Sequence, residues 1–170
     1  MGSDHPLFTR ATVELFAKEG AKVIIVGTKE ELGESCVNEI KSAGGEAIFC
    51  KTDVTSDESL DNLVKTALDA YGKIDILVNN AGVGGTTADM DQITMDEWNT
   101  VLATNLTAPF VLCKKIIPIM EKQGAGTIVN VAPWQQPQQA AEGLLTLLPN
   151  MAFLDSPVKC HWIMDVQECV

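Results

Sequence analysis

The stretch Lys73–Val83, which reads KIDILVNNAGV, constrains the fold more than any other part of the sequence. Ile74–Val78 is an apolar run with one aspartate, short enough for a strand that is buried on both faces. Asn79 to Gly82 follow it directly. Amide side chains at the end of a buried strand can tie neighbouring strand ends together, and Ala and Gly let a ligand contact the backbone. The stretch predicts the rim of a ligand crevice; a plain polar turn is the alternative.

Strands and helices alternate around this stretch. Buried strands are predicted at 22–27, 46–50, 74–78 and 127–131, and helices at 10–19, 28–43, 55–71 and 95–122. Three of the helices open with the capping-box pattern of a threonine and a glutamate three residues later: Thr28 with Glu31, Thr55 with Glu58, and Thr94 with Glu97. This order predicts an α/β fold, a partial doubly wound parallel sheet with right-handed crossovers.

Ligands of such sheets bind beyond the carboxyl ends of the strands. Asp53, Asn79 to Gly82 and Val131 all follow or end predicted strands. We therefore expect them to share one rim.

The composition and net charge limit the kinds of molecule that the protein is expected to bind. The net charge of −11, from 12 basic and 23 acidic residues, argues against a nucleic-acid or anionic membrane surface. The sequence has no run of about 20 apolar residues, so no membrane span is predicted, and its first residues lack the pattern of a secretion signal. The five cysteines have no CxxC spacing, so reduced thiols in a cytoplasmic protein are expected, and the Cys160, His161 and Cys169 cluster matches no standard zinc pattern.

With its neighbours, the NNAG run resembles the signature of the short-chain dehydrogenase/reductase family. The resemblance covers roughly Thr9 to Val131, which predicts a Rossmann-like core at 10–131 and non-family ends at 1–9 and 132–170. It implies binding of NAD or NADP, and hydride transfer between nicotinamide and a small carbonyl or alcohol substrate.

The resemblance also assigns site residues. Asp53 matches the acidic residue that meets the adenine, with Val54 beside it. Asn80, Ala81 and Gly82 match the loop near the adenine-side ribose. Asn105, in TNLTAPF, matches the Asn that holds a water in the family's proton relay, and a satisfied core amide is the less favoured alternative.

Cofactor choice in this fold is often set just after the second strand, where an acidic residue would repel a 2′-phosphate. Gly27, Thr28 and Lys29 stand there. Because they are uncharged or basic, NADP is favoured over NAD.

Two departures from the family pattern stand out. Ser3, Leu7 and Thr9 occupy the places of the glycines that admit the pyrophosphate to a helix N-terminus, and no apolar strand precedes them. In the family's strand order that first strand is the middle one, so its absence would leave sheet edges unpaired.

The second departure concerns catalysis. The positions expected for the catalytic Ser, Tyr and Lys hold Pro133, Thr146 and Asn150, and the one tyrosine is Tyr71. A tyrosine donates the proton while a lysine lowers its pKa, which these three residues cannot do.

The tail from Ala132 to Val170 changes character, with a glutamine cluster and Leu-rich sequence that could be a linker plus a helix. The genetic code offers another interpretation. Moving the frame back by one base turns the Pro133, Thr146 and Asn150 codons into codons that include Ser, Tyr and Lys. We expect a frame-shifted, prematurely ended reductase gene.

Three functional hypotheses follow. The first is an oxidoreductase relative that is catalytically inactive as written, with only Asn105 left of its catalytic set. The second is a non-catalytic nucleotide-binding or interaction module that forms a homo-oligomer through the helix at 95–122. The third is a product that folds poorly.

Overall fold

The computed structural model describes residues 6–84, 90–132 and 158–164. It is an α/β structure with parallel strands, as the sequence predicts. The chain divides into two compact units, Met1–Gly72 and Lys73–Val170, and each is described by itself.

The first unit alternates helices and strands. Its elements are α1 (Pro6–Lys18), β1 (Lys22–Gly27), α2 (Glu30–Ser42), β2 (Glu46–Lys51) and α3 (Asp57–Tyr71). β1 and β2 pair in parallel, from Lys22 opposite Glu46 to Gly27 opposite Lys51. α1 begins at Pro6, so the predicted start at residue 10 is wrong by one helical turn.

One face of the β1–β2 sheet carries the core of this unit. Its buried members come from both helices and both strands: Ala17, Val23, Ile25, Val37, Ile40 and Ala47. Burying such side chains contributes about 1.5–3 kcal/mol for each large aliphatic residue. On the surface, Arg10 of α1 forms ion pairs with Glu14 and with Glu39 of α2.

The helix starts test the predicted capping boxes. Thr94 and Glu97 form the complete reciprocal box, as predicted. The box at Thr28 is wrong, because α2 begins after Lys29, whose side chain makes no capping bond. The box at Thr55 is wrong by one residue, because Ser56 caps α3 by accepting a hydrogen bond from the Ser59 N–H.

The second unit contains a three-stranded parallel sheet in the order β3–β4–β5. Its elements are β3 (Ile76–Asn79), a 3-10 turn (Met90–Gln92), α4 (Met95–Leu102), a π-helical turn (Ala103–Thr107), α5 (Ala108–Gln123), β4 (Gly126–Ala132) and β5 (Val158–Met164). β5 lies in the tail, so a linker followed by a helix is wrong for residues 158–164. β3 begins at Ile76, two residues after the predicted start.

The predicted single helix at 95–122 is interrupted. α4 and α5 are joined by the π-helical turn, and Gly124 ends α5 in the left-handed conformation with φ of 79°. Leu112, Ile116 and Met120 of α5 are buried. The helical stretch Met95–Gln123 has the length and apolar composition to cross a membrane, contrary to the sequence expectation, but soluble core helices share these properties. The buried side chains of α5 are compatible with a core helix.

The parallel sheet is partial within the described residues. Among the described residues no strand precedes α1, and the β1–β2 and β3–β4–β5 ladders have no strand in common. The sheet is therefore partial, as the sequence predicts.

Candidate functional site

Two asparagines fix the carboxyl ends of β3 and β4. Asn79 and Asn130 are opposite each other in the parallel register, and both are buried. The Asn79 Nδ2 donates to the Asn130 Oδ1 at 2.8 Å and lies 3.8 Å from the Cys113 Sγ of α5. The expectation that asparagine amides tie strand ends together is confirmed at this pair.

The loop after β3 is held by the π-helical turn. The Val83 N–H donates to the Asn105 Oδ1, and the Asn105 Nδ2 donates to the Val83 carbonyl oxygen, each at 2.9 Å. A Cβ added to Gly82 would meet the Asn105 Oδ1 at 3.5 Å, an ordinary contact distance. Asn105 thereby sets the path of the backbone that leaves the rim.

The π-helical turn explains how Asn105 reaches this loop. Its hydrogen bonds include one from the Ala108 N–H to the Ala103 carbonyl, five residues back. Pro109 has no N–H, so the α-helical hydrogen bond to the Asn105 carbonyl cannot form. Single-turn π segments inside α-helices are frequent at functional sites. Pro109 was the sequence signal for this interruption.

The Asn105 side chain is a satisfied amide, because its Oδ1 and its Nδ2 each form a hydrogen bond to the Val83 backbone. Its role in holding a relay water stays a prediction.

Asp53 follows β2 in the first unit. Its Oδ1 accepts hydrogen bonds from the Thr55 Oγ1 at 2.7 Å and from the Thr55 N–H at 2.9 Å. These two bonds lower the pKa of the exposed Asp53 carboxyl below its ordinary value, and the bond from the Thr55 hydroxyl has the larger effect. The loop thus presents an ionised, pre-oriented carboxylate, with the partly buried Val54 beside it.

The assigned residues fall in both units. Asp53 and Val54 belong to the first unit, whereas Asn80, Ala81, Gly82 and Asn105 belong to the second. Within the second unit, the structure brings Asn105 to the loop that carries Gly82. A rim common to both units stays a prediction.

The expected pyrophosphate cradle is a helix here. Leu7 and Thr9 lie inside α1, and Ser3 lies outside the described residues. A glycine cradle needs a loop whose backbone can approach the phosphates before the helix begins. The helical backbone at Leu7 and Thr9 does not provide such a loop, so these two residues do not form a glycine-type pyrophosphate cradle.

No described residue replaces the missing proton donor. Pro133, Thr146 and Asn150 lie outside the described residues. Tyr71 ends α3, and its hydroxyl oxygen is buried without a hydrogen-bond partner in the described part of the chain. The pKa of Tyr71 is raised above its ordinary value. Burial is the larger cause, and the nearby Glu46 carboxylate is the second.

Tyr71 has a lysine neighbour, but at the wrong end of the sheet. The Lys22 Nζ lies 5.4 Å from the centre of the Tyr71 ring and 3.2 Å from the Glu46 Oε2. Lys22 and Glu46 are the first residues of β1 and β2. This cluster therefore marks the amino ends of the strands, opposite the carboxyl ends where parallel sheets bind ligands.

Among the residues that the structure describes, no three His, Cys, Asp or Glu side chains group together as metal ligands. Within the described part of the chain, Cys36, Cys50 and Cys113 form no disulfide.

The fold and the amide-fixed strand ends define a Rossmann-like α/β protein. The family model for short chain dehydrogenases matches residues 8–141, and the chain belongs to the short-chain dehydrogenase/reductase family. It is 39% identical over 120 residues to the 3-oxoacyl-[acyl-carrier-protein] reductase FabG of Chlamydia pneumoniae, covering 71% of this chain and 48% of that protein. It is 37% identical over 123 residues to a 3beta-hydroxysteroid dehydrogenase of Mediterraneibacter gnavus, covering 72% and 44%. The chain spans about half the length of these curated relatives.

Solved structures support the same assignment. A metagenomic short-chain oxidoreductase in complex with NADP matches with a TM-score of 0.83 and 26% identity, over 91% of this chain and 75% of that one. A hydroxysteroid dehydrogenase from Escherichia coli matches with a TM-score of 0.82 and 29% identity, over 91% and 68%. The family binds NAD(P), and its members named here are oxidoreductases.

Proposed function

We propose that this chain keeps the adenosine-recognising part of an NAD(P)-dependent oxidoreductase and is catalytically silent as written. The observation that carries the proposal is the position of Tyr71, the one tyrosine, at the amino ends of the strands and beside Lys22. A tyrosine there cannot protonate a substrate at the carboxyl ends. Losing the general acid, its lysine and the phosphate cradle removes most of an acceleration that is at least about 10⁶-fold in typical enzymes.

The residues proposed to contact the nucleotide keep usable chemistry. Asp53 offers an oriented carboxylate that can accept from the exocyclic amine of adenine. Asn80 carries an amide of the kind that hydrogen-bonds a ribose, and the exposed Ala81 and Gly82 leave their backbone accessible. Val54 supplies an apolar surface next to the base. We assign no catalytic step to the nicotinamide half, because the cradle that would place it does not fit.

NADP remains the proposed preference over NAD. Lys29 stands at the N-cap of α2, where a cation can meet a 2′-phosphate. Glu30 and Glu31 in the first turn oppose this, and Lys51 is already paired with Glu30 at 3.7 Å. The preference should therefore be small, about threefold or less in dissociation constant.

The test combines turnover and binding. Purified chain is incubated with NADPH and a panel of aldehydes and ketones while absorbance of the reduced nicotinamide is followed. We expect no oxidation above buffer, whereas adenosine 2′-monophosphate should bind saturably by titration calorimetry. Asp53→Ala should weaken that binding by about tenfold, and Asp91→Ala, which removes an exposed carboxylate elsewhere, is its control. Saturable NADPH oxidation would overturn the silent assignment.

The coding DNA tests the proposed frame change. The codons of Leu145–Thr146 and Pro149–Asn150 must be readable as Tyr and Lys one base back. Codons that do not allow this would exclude the frame change, without affecting the binding proposal.

A second candidate function is an interaction module, and we support it with the apolar surface of the interrupted helix. Trp98 of α4 is 43% exposed, and Phe110 of α5 is 47% exposed. Sedimentation should show a dimer that Trp98→Ser and Phe110→Ser dissociate and that Leu15→Ser, at an exposed leucine of α1, does not. A monomer at all concentrations would exclude this function, and a non-cooperative melt would support the third hypothesis, a poorly folding product. We place the protein in the cytoplasm, with its thiols reduced.

A further inference from the structure

The last residue of α5 binds the backbone just before β3. The Gln123 Oε1 accepts a hydrogen bond from the Ile74 N–H at 3.1 Å, and the Gln123 Nε2 donates to the Ile74 carbonyl oxygen at 2.9 Å. Asn105 binds both backbone groups of Val83 in the same way after the strand. Two side-chain amides from the helical stretch 95–123 therefore clamp the chain on either side of β3.

The two clamps match in length. Gln123 lies 18 residues after Asn105 in the helical stretch, and Val83 lies nine residues after Ile74. At about 1.5 Å per helical residue the first separation is about 27 Å. At about 3.3 Å per extended residue the second is about 30 Å. Both clamps can therefore form in one alignment of β3 against α5, and a slip of one strand residue would break both, because it exceeds the tolerance of a hydrogen bond.

Burial alone does little to fix the register of β3. Of its four residues, the last one, Asn79, is the buried one. Ile76 at its start is 45% exposed. Register is strongly specified where an apolar face is buried and weakly specified elsewhere. Polar contacts at the two ends of β3 are therefore needed to hold its alignment.

We infer that Gln123 is a positioning residue of the rim. It holds the amino end of β3 while Asn105 holds the loop after the strand, and together they fix where Asn79 to Gly82 lie along the sheet. Gln123 acts through β3, since its two hydrogen bonds go to Ile74 at the opposite end of the strand from the rim. The inference concerns the geometry of the chain and does not require nucleotide binding.

The first test replaces Gln123 by methionine in the full chain. Gln123→Met keeps the length of the side chain and removes both hydrogen bonds, and folding should persist because Gln123 is exposed. Exchange of the Val83 N–H is corrected for the change in the global unfolding constant, and we expect it to be at least about threefold faster. Lys114→Met, at another exposed position of α5, is the matched control and should leave it unchanged.

A double-mutant cycle provides the second test. Effects at sites about 27 Å apart that share no partner ordinarily multiply in the unfolding constant. Because one alignment of β3 serves both clamps, Gln123→Met combined with Asn105→Ala should raise the unfolding constant at least about threefold less than the product of the single effects. A Val83 exchange rate equal to that of the parent chain, with acceleration confined to the Ile74 N–H, would overturn the inference. Single effects that multiply would overturn it as well.

Discussion

The side-chain amide of Asn105 forms hydrogen bonds to both the N–H and the carbonyl of Val83, each at 2.9 Å. The two residues are 22 positions apart, so the pair links the loop after β3 to the π-helical turn. This clamp holds the loop after β3 against the π-helical turn.

Asn105→Ala should lower the free energy of unfolding by about 1–3 kcal/mol, because two partly buried backbone groups lose their partners. Exchange of the Val83 N–H should accelerate at the same time. Asn105→Asp keeps the acceptor but loses the donor to the Val83 carbonyl, so it should be no better. Asn99→Ala, at an exposed position of α4, is the control and should cost less than about 0.5 kcal/mol. Equal effects at Asn99 and Asn105 would contradict the clamp.

Asn79 and Asn130 should be energetically coupled. Asn130→Ala leaves the buried Asn79 amide without its 2.8 Å acceptor, which should cost about 1–3 kcal/mol. The double variant with Asn79→Ala should cost less than the sum of the two single changes, by at least about 0.5 kcal/mol in a denaturant-based double-mutant cycle. Additive costs would show that the two amides act independently.

Tyr71→Phe should raise the free energy of unfolding by about 1 kcal/mol, because a buried hydroxyl without a partner is removed. The ring that faces Lys22 is retained. The pKa of Tyr71 is raised in the folded chain, so ionisation of its hydroxyl opposes folding: stability is unaffected by this group's titration below the unfolded pKa of about 10 and is lost as the pH rises through the folded pKa. Above pH about 10 the free energy of unfolding of the parent chain should fall more steeply than that of Tyr71→Phe, which has no phenolic hydroxyl to ionise. A lower melting temperature for Tyr71→Phe at neutral pH would mean that the hydroxyl has a partner.

Asp53 should contribute stability with the opposite sign of pH dependence. Its folded pKa is depressed by Thr55, so the contribution is present above the unfolded pKa of about 3.8 and is lost as the pH falls through the folded value. The melting temperatures of the parent chain and of Asp53→Asn should therefore converge on acidification. Thr55→Val removes the hydroxyl donor but keeps the Thr55 N–H bond, so it should lose part of the pH dependence of the melting temperature that Asp53→Asn loses. Parallel pH profiles for the parent chain and Asp53→Asn would contradict the depressed pKa.

Sequence reasoning predicts the alternation of elements well, because buried parallel strands and capped helices leave strong local patterns. It fails where the outcome depends on competition between neighbours. Thr55 was the expected cap of α3, but its hydroxyl donates to Asp53 while Ser56 caps the helix.

Two features lie beyond periodicity. The π-helical turn keeps the apolar spacing of an ordinary helix, so only Pro109 hints at it. β5 has no distinct strand pattern in the tail, and it forms through pairing with β4, with Val158 opposite Gly126 in the chain register. Such distant pairing cannot be read from local sequence.

We propose that this chain keeps its adenosine-recognising residues and has lost the phosphate cradle and the proton donor. The most direct test is the ratio of the dissociation constants of adenosine 2′-monophosphate and NADPH, titrated into the same preparation. Because the cradle is replaced by helix at Leu7 and Thr9, the two constants should agree within about threefold. NADPH binding more than about 100-fold tighter than the monophosphate would show that the chain does hold the pyrophosphate and the nicotinamide half.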